Sequence, residues 1–533
     1  MAVAHRRGCD ALPSTPVAAP SLSLSLELRM SFRSGIVPAL SFALFAAAAA
    51  CAVPEAPVAP AAEPPHAPEQ LREDFDALYT GLQAAHYDLY ARRSKADYDA
   101  LHRLMRAELD APLTTAEARV YFQRFAAFGR VAHARVELPT DAWETYRGQG
   151  GRAFPLFLRF VDGRAYVVDD ISGSDAVDEG DEVLSVAGLP VRDWLAPVRA
   201  LVSADNDYLN DTQLETRLPL LVWLAHGEHA AFDVAVRKTD GRRIDATVAA
   251  RSRTDYNTVI AARPARFELD WNARETRMLD NAIAYLRPGP FYDNRPDAAT
   301  PWDPTAFKTF IDGAFADANA RDARSLLIDL RNNPGGDNSF SDHLLAWIAD
   351  KPFRFTNGFD IRISEQTTAS NRKRLDSIGG DADSMSMKLA AAYAGKAPGS
   401  RVDVPMPWVA PRAQGRFAGK VYLLVNRHSY SNTVSVASIV QDYGFGTVLG
   451  EETADLASTY GAMEHFALPN TGIEVGYPKA RILRPNGDAR PRGVVPDSVI
   501  TDIAIATPLA GGDEDTVLAQ ALERILDDQS RGQ

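Results

Sequence analysis

Two polar segments of this sequence combine the residue types that acyl transfer uses. In "VNRHSYSNTVSVASIVQDYG", residues 425–444, an apolar strand-like run ends in a cluster of hydroxyl groups, and a helix-like pattern follows. A hydroxyl at the start of a helix that follows a strand is exposed, and the helix dipole favours negative charge there. Ser431 is therefore a candidate nucleophile. The alternative is that Ser429, Ser431 or Asn432 only caps the helix, and no G-x-S-x-G motif surrounds Ser431.

The second segment is "LIDLRNNPGGDN", residues 327–338, in which an apolar strand-like run ends before two adjacent glycines. Gly335 and Gly336 allow the backbone to turn freely and to approach a ligand closely. Their N–H groups could converge on one point ahead of the next helix, which suits an oxyanion. The alternative is an ordinary loop that needs two flexible residues.

Alternating strand-like and helix-like segments after about residue 280 predict an α/β core that positions both segments. "SLLIDLR" and "KVYLLVNR" are near-continuous apolar runs, as expected for strands buried on both faces, and a helix-like pattern follows each. We assign residues 266–505 to this core and residues 506–533 to a C-terminal helix. Both polar segments then lie where a buried strand ends.

Two further regions precede the core. Residues 69–148 carry apolar residues at three- and four-residue spacings, which predicts an N-terminal helical segment. Residues 149–253 contain hairpin patterns with Asp-Gly turns at 162–163 and 240–241, and a helix-like insertion lies between them. We predict a small β-rich domain in this second region.

The composition is that of a globular protein of 533 residues, 46% hydrophobic and 24% charged, long enough for two or three domains. The formal net charge, 57 − 70 = −13, argues against a nucleic-acid partner. Cys9 and Cys51 both lie near the N-terminus, so no disulfide framework is possible in the body of the chain. His226, His229 and His465 lack metal-ligand spacing and HExxH is absent, so we expect no metal and no cofactor.

The sequence from Met30 resembles an export signal followed by a tether. A positive start and an apolar run of secretory length lead to small residues before Cys51, as in a bacterial lipobox. We therefore interpret residues 1–51 as an upstream extension with an export signal, and the Pro/Ala-rich residues 52–68 as a linker. We expect export to a bacterial periplasm or cell envelope, with Cys51 either lipidated or not. The alternative to an export signal is a disordered Ala-rich extension. Met30 is also a candidate for the true start, because residues 1–29 resemble neither a signal nor a domain.

Three motifs occur in order, "LIDLRNNPGGDN", "VYLLVNRHSYSNTVSVASIVQDYGFGTVLGEET" and "RGVVPD" at 492–497. Together they resemble the tail-specific, or C-terminal-processing, serine peptidase family, in particular its tricorn-core-like branch. "GDEVLSVAG" at 180–188 resembles the PDZ-type module of that family. The resemblance implies a crotonase-like (ββα) peptidase core with an N-terminal helical segment and an inserted β-rich PDZ-like domain. It also implies a peptide or unfolded protein as substrate.

The resemblance assigns roles to individual residues. The family's nucleophile, the serine after the strand, corresponds to Ser431, and its oxyanion hole corresponds to Gly335 and Gly336, with the Asn432 N–H as a further donor. The branch's histidine base is best matched by His133 in "FGRVAHARVEL". A neutral imidazole can accept the serine proton near neutral pH. The alternative for His133 is a structural or surface histidine.

The chain departs from the family pattern at three places. The lysine of the Ser–Lys dyad branch would fall near Leu456, so that dyad is absent. Val131-Ala132 replace the Asp-Gly that precedes the branch's histidine, and the branch's glutamate falls near Arg490. These departures leave the third catalytic group unassigned.

Three acidic residues are candidates, in sequence only, for the group that orients His133. They are Glu451, Glu452 and Asp455, although acidic residues after a strand are often solvated loop residues. Three hypotheses remain, namely a serine endopeptidase, a peptide-binding relative that has lost turnover, and a serine esterase. We favour the endopeptidase because a nucleophile turn and an oxyanion loop are what acyl transfer needs most.

Overall fold

The computed structural model describes residues 64–263, 267–377, 384–500 and 514–531. The predicted export signal, Cys51 and most of the Pro/Ala-rich linker lie outside the described residues. Across the described ranges, no helix has the length and apolar character needed to cross a membrane.

The N-terminal region is mainly helical, as predicted. Its helices pack through an aromatic-rich core that includes Phe75, Tyr98 and Phe122. The third helix begins with a capping box, in which the Thr114 hydroxyl accepts the Glu117 N–H. The elements are α1 (Pro68–Ala85), α2 (Lys95–Glu108), α3 (Thr115–Phe128), β1 (Arg135–Val136) and α4 (Thr140–Gly148).

The second region carries its own antiparallel sheet, in the order β2-β3-β4-β6-β7 with β5 on β4. Both Asp-Gly segments lie between paired strands, and Asp162 and Gly163 adopt the positive φ angles that a tight hairpin turn requires. The predicted helix between the hairpins is α7, which packs against β2. The elements are β2 (Leu156–Val161), β3 (Arg164–Asp170), β4 (Glu182–Val186), β5 (Leu189–Pro190), α5 (Val191–Trp194), α6 (Ala196–Arg199), α7 (Asp207–His226), β6 (Ala231–Arg237), β7 (Arg243–Ala249) and α8 (Arg253–Ala262).

The remaining residues form the α/β core that the sequence predicts. Its elements are β8 (Glu275–Leu279), a 3-10 turn (Asp280–Ala282), β9 (Ile283–Arg287), α9 (Thr305–Ala320), β10 (Ser325–Asp329), α10 (Asn338–Ile348), β11 (Gly358–Arg362), α11 (Glu365–Ser377), α12 (Met385–Tyr393), β12 (Arg401–Asp403), β13 (Lys420–Val425), α13 (Asn432–Tyr443), β14 (Thr447–Gly450), β15 (Thr459–Ala467), β16 (Glu474–Leu483), β17 (Ser498–Val499) and α14 (Thr516–Arg531).

The main sheet of the core has the order β17-β14-β13-β10-β9-β8, parallel except for the β8–β9 pair. Helices α9, α10 and α13 cover one face, and α14 packs on the other. Burial on both faces explains why β10 and β13 are continuous apolar runs rather than alternating ones. Since β10 and β13 are parallel neighbours, the glycine loop after one and the serine turn after the other leave the same edge of the sheet.

A third sheet joins the N-terminal region to the core. It has the order β1-β16-β11-β12, with β15 paired to β16. The two-residue strand β1 pairs with β16 through Arg135 opposite Gly476 and Val136 opposite Val475. This pairing brings the segment that precedes β1, including His133, to the core.

Candidate active site

The turn between β13 and α13 separates the crowded hydroxyl groups into different roles. Ser429 is completely buried, and its Oγ donates to the Leu330 carbonyl at 2.9 Å and accepts the Asn426 N–H at 3.1 Å. Ser429 therefore ties the turn to the end of β10. Ser431 is partly exposed and stands directly before the helix.

Ser431 has an unusual backbone conformation for a residue with a Cβ, with φ +55° and ψ −123°. Although it occupies the N-cap position of α13, its side chain makes no capping hydrogen bond. Such strained conformations cost on the order of 1–3 kcal/mol and cluster at functional sites. The interpretation of this hydroxyl as a simple cap is therefore not supported.

The Ser431 N–H donates to a buried carboxyl group, that of Asp455, at 2.7 Å. The other Asp455 oxygen accepts the Leu456 N–H at 2.9 Å, and the side chain is buried. Burial, together with the nearby carboxylate of Asp205, raises the pKa of Asp455 to about 7. The Asp455 side chain thus contacts the backbone of the nucleophile turn.

The glycine loop after β10 lies directly against Ser431. Gly335 has φ +90°, and a Cβ built on it would lie 2.8 Å from both the Ser431 Cβ and the Asn432 nitrogen. Any larger residue would therefore displace the serine turn. The two segments singled out in the sequence meet at this point.

The structure distinguishes the two glycine N–H groups. The Gly335 N–H donates to the Asn333 Oδ1 at 3.0 Å, so it is already engaged. Phe291 bonds to the two residues that flank Gly336, donating to the Gly335 carbonyl and accepting the Asp337 N–H, both at 2.8 Å. In such a parallel bridge the Gly336 N–H points away from Phe291, and Gly336 is exposed.

The Asn432 N–H opens α13, where backbone donors have no acceptor within the helix. Its side chain is held by a hydrogen bond from Nδ2 to the Ser341 Oγ at 2.9 Å. The Gly336 and Asn432 N–H groups, with the helix dipole, are the donors best suited to an oxyanion near Ser431.

His133 lies in the turn between α3 and β1, and its ring stacks on that of Tyr430 with centroids 5.8 Å apart. The histidine is buried, and its Nδ1 has no hydrogen-bond partner among the described residues. Burial, and then the positive charge of Arg135, lowers the pKa of His133 to about 4. His133 therefore packs against the residue that precedes Ser431 and is neutral at neutral pH.

The turn that carries His133 is held by a second buried carboxyl group. The Asp205 Oδ2 accepts the Ala132 N–H at 3.1 Å, and its Oδ1 pairs with Arg92 at 3.1 Å. Burial raises the pKa of Asp205. Asp205 is not among the residues predicted from the sequence, because a lone aspartate ahead of α7 gives no signal of this contact.

The two glutamates considered as orienting acids lie in ion pairs. Glu451 pairs with Arg159 at 3.1 Å and approaches Arg427 at 3.5 Å, and Glu452 pairs with Arg492 at 2.8 Å. In the described part of the chain, no hydrogen bond or ion pair links either glutamate to His133.

Leu456 and Arg490, which stand where the resembled family has catalytic groups, contact no residue of the serine turn through an ion pair or side-chain hydrogen bond in the described part of the chain. Leu456 is buried, and Arg490 is exposed and paired with Asp488. His428, close to Ser431 in sequence, faces Glu215 at 3.2 Å. Within the described ranges, no cluster of three or more His, Cys, Asp or Glu side chains could hold a metal ion.

Comparisons with known proteins place this site in a family context. Residues 301–500 match the family described as Peptidase family S41, and no curated protein matches the chain. A crystal structure of a CPAF mutant is similar at 15% identity and a TM-score of 0.55, covering 81% of this chain and 93% of that one. Mature CPAF matches at 16% identity and 0.52, covering 81% and 92%, and mature CPAF complexed with lactacystin at 16% and 0.51, covering 81% and 94%. The chain thus has a mixed α/β fold that resembles that of CPAF, and its residues 301–500 match the model of peptidase family S41.

Proposed function

We propose that this chain is a serine-type endopeptidase that cleaves peptide bonds through an acyl-enzyme on Ser431. The observation that carries the proposal is the meeting of a strained serine, a helix N-terminus and a glycine loop at one edge of the S41 domain. This arrangement supplies a nucleophile and backbone donors within reach of the same carbonyl group.

In the proposed reaction the Ser431 Oγ attacks the substrate carbonyl carbon while its proton passes to the neutral imidazole of His133. The negative charge on the carbonyl oxygen is stabilised by the Gly336 and Asn432 N–H groups. The C–N bond then breaks, and the leaving amine takes the proton from His133. Water, deprotonated by the same imidazole, attacks the ester carbon, the bond from that carbon to the Ser431 Oγ breaks, and His133 returns the proton to Oγ.

The depressed pKa of His133 suits this role in one respect. A base with a pKa near 4 stays neutral over most of the physiological pH range, so it is available to accept a proton. The same low pKa makes His133 a weak base. A substrate that contacts the buried ring would change the surroundings of the imidazole, which set its pKa. The assignment to the branch without a Ser–Lys dyad belongs to this proposal and rests on Leu456 at the lysine position.

We also propose that the protein acts outside the cytoplasm, on peptides or unfolded proteins in a bacterial periplasm or cell envelope. The support is the signal-like segment from Met30 and the lipobox-like residues before Cys51. Mass spectrometry of the mature N-terminus, after expression in a bacterium with and without lipoprotein processing, would identify cleavage and lipidation at Cys51.

The experiment that tests the proposed reaction is labelling with a fluorophosphonate followed by peptide mapping. We expect the adduct on Ser431, and Ser431→Ala to lose both the adduct and cleavage of an unfolded protein such as casein, by about 10⁶-fold in kcat. Ser435→Ala, one turn along α13, is the matched control and should retain both. Cleavage that survives Ser431→Ala would refute the proposal.

A peptide-binding protein without turnover is the second candidate. It is favoured by the unpartnered Nδ1 of His133 and by Arg490 where the resembled branch has a glutamate. Binding of a peptide with no cleavage over days would support it, whereas cleavage that is lost in His133→Ala would exclude it.

A further inference from the structure

Asp455 is the feature of the site that the proposed reaction does not use. Its carboxyl group is buried between two backbone donors, the N–H of Ser431 and the N–H of Leu456. It forms no ion pair with a Lys or Arg side chain within the described ranges. A buried carboxyl group without a cation is costly to the folded state, which makes Asp455 a candidate for a functional role.

The geometry of the contact is specific to the nucleophile. Ser431 is the N-cap residue of α13, so its N–H has no acceptor within the helix and needs one from elsewhere. Asp455 provides that acceptor at 2.7 Å, while Gly335 packs closely against the Ser431 Cβ and the Asn432 nitrogen. The strained backbone is therefore held by two contacts, one with the Asp455 carboxyl group and one with the glycine loop.

The sequence position of Asp455 makes the contact informative. It directly precedes Leu456, which stands where the resembled Ser–Lys dyad branch has its lysine. In this chain Leu456 is buried and apolar. The Asp455 carboxyl group accepts the main-chain N–H of Ser431, whereas the lysine of the dyad branch would place an amine near the serine hydroxyl.

We propose that Asp455 is a positioning residue that holds Ser431 in its reactive backbone conformation through the Ser431 N–H. This role rests on the proposed function for its catalytic meaning, while the conformation it maintains is measurable without turnover. Asp455 acts through the backbone of Ser431 and exchanges no proton with the substrate.

The test compares Asp455→Ala and Asp455→Asn with Asp442→Asn. Asp442 is a suitable control because it lies at the other end of α13, its side chain is also buried, and its partner is Arg484 at 2.6 Å. The readouts are kcat and KM for a peptide, and the rate of fluorophosphonate labelling at Ser431.

We expect Asp455→Ala to lower kcat and the labelling rate by about 10²-fold with little change in KM, because a nucleophile displaced by about 1 Å costs that much. Asp455→Asn keeps an oxygen that can accept the Ser431 N–H, so it should recover part of the loss. Asp442→Asn should stay within about twofold of the wild type, since it leaves the serine turn intact. A folded Asp455→Ala variant with the wild-type labelling rate would overturn the proposal.

A structural measurement separates this proposal from the proposed function. If the wild type neither labels nor cleaves, the peptidase assignment fails, and crystal structures of the wild type and Asp455→Ala then decide the positioning role. We expect Ser431 at φ near +55° in the wild type and at negative φ in the variant. An unchanged positive φ in Asp455→Ala would overturn the positioning role regardless of activity.

Discussion

The serine turn, residues 425–432, and the histidine turn, residues 129–136, meet at one site but are built in different ways. The serine turn lies between a buried strand and a helix that are adjacent in sequence. The histidine turn is followed by a strand of only two residues, whose position depends on pairing with β16 far along the chain. One turn is thus defined locally, and the other is defined by its partner strand.

The two turns nevertheless share a device. Each has a backbone N–H that donates to a buried carboxyl group, the Ser431 N–H to Asp455 and the Ala132 N–H to Asp205. In the serine turn the carboxyl group holds the reactive residue itself, whereas in the histidine turn it holds the preceding residue. The serine should therefore be more rigidly fixed than the histidine, and the following predictions test that difference.

The largest effect is expected for His133→Ala. Removing the proposed base should lower kcat by about 10⁴- to 10⁶-fold, close to the effect of Ser431→Ala, because members of a catalytic unit act together. Steady-state peptide cleavage is the measurement. His428→Ala is the matched control, since His428 lies near Ser431 in sequence but faces Glu215. A similar loss in His428→Ala would reverse the assignment of the base.

Gly335→Ala should have the next largest effect. The new Cβ would collide with the Ser431 Cβ and the Asn432 nitrogen. We expect kcat to fall by about 10²- to 10³-fold, which is the typical loss when an oxyanion donor, here the Asn432 N–H, is displaced. Gly399→Ala is the matched control, because Gly399 also has a positive φ, +86°, but no atom lies within 4 Å of its added Cβ. Equal losses in the two variants would mean that backbone strain, rather than contact with the serine turn, is responsible.

Asp205→Asn should lower kcat/KM by about tenfold, because it loosens the turn that carries His133. The substitution leaves Arg92 without its carboxylate partner and weakens the acceptor of the Ala132 N–H. Asp211→Asn provides the comparison, since it breaks an ion pair with Arg199 in the same part of the chain without touching either turn. If Asp205→Asn moved the Ser431 backbone in a crystal structure and left kcat/KM unchanged, the two carboxyl groups would not have separate roles.

The smallest expected effect is a shift in pH dependence, and it distinguishes the two turns. Burial and Arg135 lower the pKa of His133 to about 4, whereas burial and Asp205 raise the pKa of Asp455 to about 7. The ionised Asp455 accepts both of its N–H bonds better than the acid does, so kcat/KM should rise through about pH 7. In Asp455→Asn the rise of kcat/KM near pH 7 should disappear, and only the rise near pH 4, from His133, should remain.

The same groups predict opposite effects of pH on stability. Asp455 has a folded-state pKa above its unfolded value, so its contribution to the free energy of unfolding is present below about pH 4 and lost as the pH rises through 7. His133 has a lowered pKa, so its contribution is present above about pH 6.5 and lost as the pH falls toward 4.

Denaturant unfolding at several pH values, compared with Asp455→Asn, measures the first contribution. The groups that also act on this carboxyl are Asp205 and the buried Tyr430, the latter flanked by Arg135 and Arg217. A wild-type stability curve that Asp455→Asn leaves unchanged between pH 4 and 7 would contradict the raised pKa.

The sequence by itself determined the parts of this protein that depend on neighbouring residues. The apolar runs of β10 and β13, the helices after them, the Asp-Gly hairpins and the Thr114 cap were all predictable, because hydrophobic periodicity and turn chemistry act locally. The motif order also predicted a resemblance to a serine peptidase family, and residues 301–500 match the model of peptidase family S41. Ser431 and the glycine loop are therefore recognisable as candidates from the sequence alone.

Tertiary structure alone decided how these parts meet. The pairing of β1 with β16 places His133 on Tyr430, and no local pattern specifies which distant strand a two-residue strand joins. Asp455 looked no different from Glu451 and Glu452 in sequence, but burial and backbone contacts set it apart, while the glutamates pair with arginines. The outward direction of the Gly336 N–H likewise follows from a long-range contact, the bridge between Gly336 and Phe291. The physical reason is that burial and long-range hydrogen bonding depend on the packed chain, whereas periodicity and capping depend on a few adjacent residues.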